Sequence, residues 1–232
     1  EYQSLLKSND YNLVYKKAIE YYNKGDYQRA MNLLDGVRSV FVGQAKAQNI
    51  AYYRAFCSYN MKDYQIASDL FKQFIQTYPE SSFAEECLYM MGFCDYKASP
   101  KPRLDQQVTE KAIREFQLYL SRYPYSMRKD KVNTYMDEMR DKLSYKAYLS
   151  AKNYYLREHY KAAVISLQNC LKDYPGSKYR EEIMYMLFVS KYQMAVNSVE
   201  DKKVERYNNA REEYYYFADE YPNSRYAADV KK

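Results

Sequence analysis

The sequence has no tryptophan, one histidine, four cysteines, five glycines and six prolines among 232 residues. Each scarcity removes a class of chemistry. His159 sits in Arg157-Glu158-His159-Tyr160 and reads as a turn residue, because no second imidazole exists to help build a metal site. Cys57, Cys87, Cys94 and Cys170 include no Cys-x-x-Cys pair and read as small buried apolar residues. With so little glycine there is neither a phosphate-cradling loop nor a Gly-x-Ser-x-Gly elbow. The carboxylate pairs Glu85/Glu86, Glu181/Glu182 and Glu212/Glu213 are sequence neighbours, so on a helix they diverge. An enzyme is not expected, nor a metal or other cofactor. No run approaches the ~20 apolar residues of a bilayer-spanning helix. The net charge of +6 is modest, and the densest basic run, Arg128-Lys129-Asp130-Lys131, is interrupted by an acid, so nucleic acid is not an expected partner.

Tyrosine is what the chain has in excess: 32 residues, with nine phenylalanines. Two tyrosines recur seven apart in five places: Tyr15/Tyr22, Tyr52/Tyr59, Tyr89/Tyr96, Tyr148/Tyr155 and Tyr185/Tyr192. Seven residues is almost two helical turns, so each pair shares one face. Three residues after each first tyrosine comes Ala18, Ala55, Gly92, Ala151 or Phe188. Four of these are small enough to admit a closely packed helix. A second register places Ala30, Ala67, Ala112, Ala163 and Ala210, each twelve residues ahead of Val42, Pro79, Pro124, Pro175 or Pro222. Tyrosine also precedes four of these alanines by three residues, at Tyr27, Tyr64, Tyr160 and Tyr207, with Thr109 in the third unit.

This repeat predicts an all-α chain of five helical hairpins. Tyr-Pro closes each second helix, since proline disfavours helix at the residue before it. The serines two beyond each proline (Ser81, Ser126, Ser177, Ser224) are expected to cap the helix that follows. Neither helix of about 12–15 residues buries its apolar stripe alone, so the hairpins stack. Three spacings are longer than the minimal unit. Ser99–Gln106 in unit three is rich in proline and charge, and 197–206 in unit five is charged. Residues 128–143 are read as lengthening the first helix of unit four or adding one before it.

In such a stack the first helices are expected to line the concave side, giving a tyrosine ladder for an extended peptide. The position after the small register reads Ile19, Phe56, Phe93, Lys152 and Val189. Units one to three thus offer an apolar groove, and the character changes at unit four. Residues 1–125 and 126–232 are accordingly read as two functional halves of one solenoid.

The offsets of small residue, Tyr, Ala and Pro resemble the tetratricopeptide repeat, most closely at Lys24-Gly25-Asp26-Tyr27-x-x-Ala30 and Tyr160-Lys161-Ala162-Ala163. The resemblance implies a right-handed superhelix. Tyr-Pro-x-Ser, the insertion in unit three and the stretch Asp141–Tyr155 narrow it to the BamD family of outer-membrane assembly lipoproteins. That resemblance implies a scaffold on the periplasmic face of the outer membrane, held by a lipidated cysteine expected ahead of Glu1. The start at Glu1-Tyr2-Gln3 is read as a processed or trimmed form. The implied partners are the POTRA modules of BamA, other assembly lipoproteins and unfolded outer-membrane proteins. Candidate client contacts are Tyr15, Tyr22, Tyr52, Phe56, Tyr59, Tyr89, Phe93 and Tyr96. Candidate partner contacts are Tyr148, Lys152, Tyr155, Tyr185 and Tyr192. Two other readings stay open: a periplasmic repeat adaptor coordinating cell-envelope enzymes, and a carbohydrate-binding repeat protein.

Overall fold

A computed structural model describes residues 2–227. Its described residues form eleven helices and no strand. After a short α1 (Tyr2–Leu5) come α2 (Tyr11–Asn23) with α3 (Tyr27–Val37), α4 (Ala45–Asn60) with α5 (Tyr64–Thr77), and α6 (Ala84–Ala98) with α7 (Gln107–Arg122). The long α8 (Lys129–Leu156) is followed by α9 (Tyr160–Asp173), then α10 (Arg180–Val196) with α11 (Glu200–Glu220). The five hairpins expected from the repeat are therefore present. They fall into two compact units, Glu1–Met139 and Arg140–Lys232.

Hairpin geometry follows from the repeat residues. Ala18, Ala55, Ala67, Ala112, Ala151 and Ala163 are fully buried, which lets helix backbones approach. Gly92 takes the same place in α6, where an added Cβ would lie 2.9 Å from the ring of fully buried Phe116. Phe188, the one large residue at this register, is half-buried. The minimal hairpins turn through a left-handed residue at Gly25 (φ 81°), Lys62 (φ 67°) and Glu158 (φ 59°). Asp26 then caps α3, its carboxylate accepting from the Arg29 amide. At the other end, Tyr78, Tyr123, Tyr174 and Tyr221 share φ of −126° to −133° and ψ of 60° to 66°, outside the helical basin as a residue before proline requires.

The serines act one turn earlier than the expected N-cap. Ser81, Ser126, Ser177 and Ser224 each accept from the amide two residues on, tightening a turn that leads into the helix. Ser126 and Ser224 also donate to Glu85 and Glu181, which hold equivalent places in α6 and α10. Helix α6 therefore begins at Ala84, after the serine turn.

The three insertions resolve differently. Residues 128–143 extend the helix, and Val132, Met136 and Met139 form a buried stripe on it. The charged residues of unit five lengthen α11 rather than form a loop. Only the unit-three insertion is a loop, and buried Gln106 organises it. Its amide donates to the carbonyls of Lys101 (2.8 Å) and Leu104 (3.2 Å), and its Oε1 accepts from Thr109 Oγ1 (2.7 Å). Thr109 stands where other units carry tyrosine because its hydroxyl helps hold this loop, bonding Ser99 as well.

Within Glu1–Met139 one core joins Val14, Leu33, Leu34, Val37, Phe41 and Ile50, and another joins α5, α6, α7 and the start of α8 around Phe71, Phe74, Phe116 and Tyr119. Within Arg140–Lys232, Leu167, Ile183, Met186 and Leu187 lead the core. Gly92→Ala tests the close approach. The added methyl forces Phe116 to shift, costing ~1–3 kcal/mol, while helix propensity returns only ~0.5–1. A net loss of about 1 kcal/mol is expected in urea unfolding, and a stabilised variant would show that α6 and α7 are not tightly packed there.

Candidate protein-binding surface

The first tyrosine of each pair meets the same partner position, the residue four beyond the unit-ending Val or Pro. Tyr15 is covered by the Lys46 ammonium at 5.6 Å and Tyr89 by the Arg128 guanidinium at 4.7 Å. Tyr52 packs on Phe83 at 4.6 Å, Tyr148 on Tyr179 at 4.3 Å and Tyr185 on Tyr226 at 4.2 Å. Rings and cations are interchangeable here because both bind an aromatic face. A hydrogen bond reinforces two of these contacts. Tyr52 donates to Glu86 at 2.8 Å and Tyr148 to Glu182 at 2.9 Å, each glutamate lying three residues before the next first tyrosine or its equivalent.

Three of the second tyrosines also meet a tyrosine in the second helix of their own hairpin. Tyr22 meets Tyr27 at 5.5 Å, Tyr59 meets Tyr64 at 5.9 Å and Tyr192 meets Tyr207 at 5.9 Å. Both registers therefore have packing duties, and only their open edges remain for a ligand.

In the first unit these edges join. Rings run without a break from Tyr22 through Tyr53, Tyr52, Phe56, Tyr59, Phe93 and Tyr96 to Tyr135, neighbouring centroids lying 4.4–6.4 Å apart. Tyr89 branches from Phe93 at 5.7 Å. Seven of the eight candidate client residues thus belong to one row, and except for buried Tyr89 they are half-buried. Tyr15 stands apart on Phe41, although it shares with Tyr52 the lining of a cavity of about 510 Å³ between α2 and α4. Burial pushes the Tyr22 phenol up to about 12, and a hydrogen bond to Glu138 together with burial does the same for Tyr96. The phenols stay protonated, and Tyr52 and Tyr96 donate that proton to Glu86 and Glu138.

The second unit packs Tyr148, Tyr155 and Tyr185 into one core cluster, with Lys152 on Tyr148. Tyr148 is buried, and Lys152 is held by Glu182 (2.7 Å) and the Tyr148 hydroxyl (2.8 Å). These bonds, Glu182 first, raise the Lys152 pKa and keep it cationic. Tyr155 is half-buried and Tyr185 is stacked on Tyr226. Tyr192 is exposed, beside exposed Tyr207. His159 sits in the turn before α9, on the rim of an open cavity of about 760 Å³.

Sequence reasoning missed Tyr53, Tyr135 and every covering residue. The signal for the latter lay in the repeat, as the aromatic at Phe83, Tyr179 and Tyr226 four residues past three of the four unit-ending prolines. Tyr135 sits in the inserted part of α8, where no repeat register applies.

The thiols offer no second chemistry. All four cysteines are buried and free, and burial pushes Cys57 and Cys87 up to about 12 and Cys170 to about 11. Among the described residues no cluster of His, Cys, Asp and Glu could hold a metal ion.

The profile of YfiO, described as an outer membrane lipoprotein, matches residues 7–182 and again 147–232. The chain belongs to the YfiO family. This is the family of BamD, and membership places the chain in the cell envelope as a protein-interaction scaffold. No helix among the described residues is long and apolar enough to cross a membrane. No curated protein matches the sequence. Solved structures with some likeness include the TPR2AB-domain–pHSP90 complex of yeast Sti1, at 13% identity over 88% of this chain and 77% of that one, with a TM-score of 0.45. MamA of AMB-1 is 14% identical over 87% of this chain and 90% of its own, with a TM-score of 0.36.

Tyr148→Phe separates the hydroxyl from the ring. The Tyr179 stack and the Lys152–Glu182 pair survive, so a loss of about 1 kcal/mol is expected in urea unfolding, against ~3–5 for Tyr148→Ala. Equal losses for the two variants would place the stabilisation in the hydroxyl and not in the stacked ring.

Proposed function

We propose that this YfiO-family chain is a scaffold of outer-membrane β-barrel assembly that binds unfolded outer-membrane protein segments and docks to BamA. It works without turnover. The observation that carries the reading is the unbroken aromatic row of the first unit. A row of half-buried rings with open edges suits an extended, partly apolar segment, which it holds chiefly by stacking, with hydrogen bonds from those hydroxyls that no carboxylate already holds. Clients fall to repeats one to three, and BamA to repeats four and five, chiefly through Tyr192 and the outer edges of Tyr155 and Tyr185. Tyr148 and Lys152 then support that face from inside. A lipid anchor ahead of Glu1 would hold the chain at the periplasmic face of the outer membrane.

Phe93→Ala combined with Tyr96→Ala interrupts the row between Tyr59 and Tyr135. Affinity for a peptide ending in the aromatic C-terminal strand of an outer-membrane protein should fall about tenfold in a fluorescence titration. Circular dichroism should keep its helical signal. Unchanged affinity in a folded variant removes the row from client binding. Co-purification addresses the docking half: recovery of BamA supports it, whereas recovery of peptidoglycan synthases in its place supports an adaptor of envelope enzymes.

A further inference from the structure

Two acidic side chains lie in the interior of the first unit with one cation between them. Asp95 of α6 is 1% exposed and Glu115 of α7 is 8% exposed. Lys111 Nζ stands 2.8 Å from Asp95 Oδ2 and 3.7 Å from Glu115 Oε1. Ser68 of α5 donates to Asp95 Oδ2 at 3.1 Å, so Asp95 is well supplied with donors. Glu115 is not: its Oε2 is buried and no donor reaches it.

The remaining charges do not repair this. From α5, Asp69 adds a third carboxylate 3.9 Å from Lys111, and it is largely exposed. Lys72 of α5 and Arg114 of α7 are exposed and line, with Glu115, a cavity of about 360 Å³. Cys94 of α6 is a buried neutral thiol whose pKa burial raises. One ammonium cannot balance two buried carboxylates, and a bare carboxylate oxygen without a donor is costly. A protonated carboxyl removes the excess charge and becomes a donor itself.

We propose that Glu115 is a proton-binding site: at neutral pH it is a neutral carboxylic acid that donates to Asp95 and fastens α7 to α6. The cavity beside it gives the proton a route to solvent. Burial, then the hydrogen bond and charge of Asp95, push the Glu115 carboxyl up to about 8 against the pull of Lys111. An exposed glutamate titrates near 4.5. The folded chain therefore holds this proton more tightly than the unfolded one. Its contribution to stability is complete below that lower value and is lost as pH rises through about 8. The first unit thus tightens on mild acidification, opposite to the usual carboxylate behaviour. Helix α6 also carries Phe93 and Tyr96, so the same proton steadies the helix beneath the aromatic row, whatever that row binds.

The test is urea unfolding of the whole chain between about pH 5.5 and about pH 9, with Glu115→Gln as a permanent mimic of the neutral acid. The wild type should lose roughly 300-fold more of its folded-to-unfolded ratio across this range than the variant does. The side-chain carboxyl carbon of Glu115, followed by NMR in the wild type, should titrate well above an ordinary glutamate. Asp95→Asn should bring that midpoint down. Parallel stability curves, or a carboxyl carbon with an ordinary midpoint, overturn the proposal. If Glu115→Gln fails to fold, the wild-type resonance alone decides it.

Discussion

Everything in this structure leans on one contact, a ring or a cation laid over the first tyrosine of each hairpin by the turn that leaves it. The five covering residues differ in chemistry, being lysine, phenylalanine, arginine and two tyrosines, but all satisfy an aromatic face. Tyr-Pro makes the contact possible by ending the second helix at a fixed point. The serine turn then delivers the covering residue four positions later. Small residues along the first helix let the second lie close enough for this geometry. The repeat therefore encodes how each hairpin meets its successor as much as the hairpin itself.

That division of labour explains why tyrosine is used so heavily. A hairpin stack is thin and has few places to bury a side chain completely. Tyrosine packs one face, donates its hydroxyl to a neighbouring glutamate and leaves an edge to solvent. Where successive edges touch, as from Tyr22 to Tyr135, packing residues become a continuous surface without giving up their structural role. In the second unit Tyr148 and Tyr185 sit in one core cluster while Tyr192 is exposed.

Most of the fold was legible because proline, small residues and tyrosine recur at fixed offsets, each with one physical meaning. The hairpin count, the Tyr-Pro stops and the helical nature of 128–143 followed directly. The insertion at 197–206 went into a helix from Glu200 on because its charged residues are good helix formers. The serine caps were misplaced by a turn because spacing alone does not say whether serine bonds a helix amide or a turn amide. The candidate site was less legible. The pattern marked which tyrosines share a face, but not that Tyr148 turns inward or that Lys152 is occupied by Glu182. Gln106 and the Asp95–Lys111–Glu115 group were invisible because each occurs once, outside any repeat.

The covering contact can be measured directly in the second unit, where Tyr148 and Tyr179 stack at 4.3 Å, Tyr145 lies on both rings and Glu182 and Lys152 hold the Tyr148 hydroxyl. A double-mutant cycle with Tyr148→Ala and Tyr179→Ala in urea unfolding isolates their interaction from the loss of each ring. The account predicts a coupling of about 0.5–1.5 kcal/mol favouring the stacked pair. Additive losses, with no coupling, would contradict the claim that this contact sets the register of the stack.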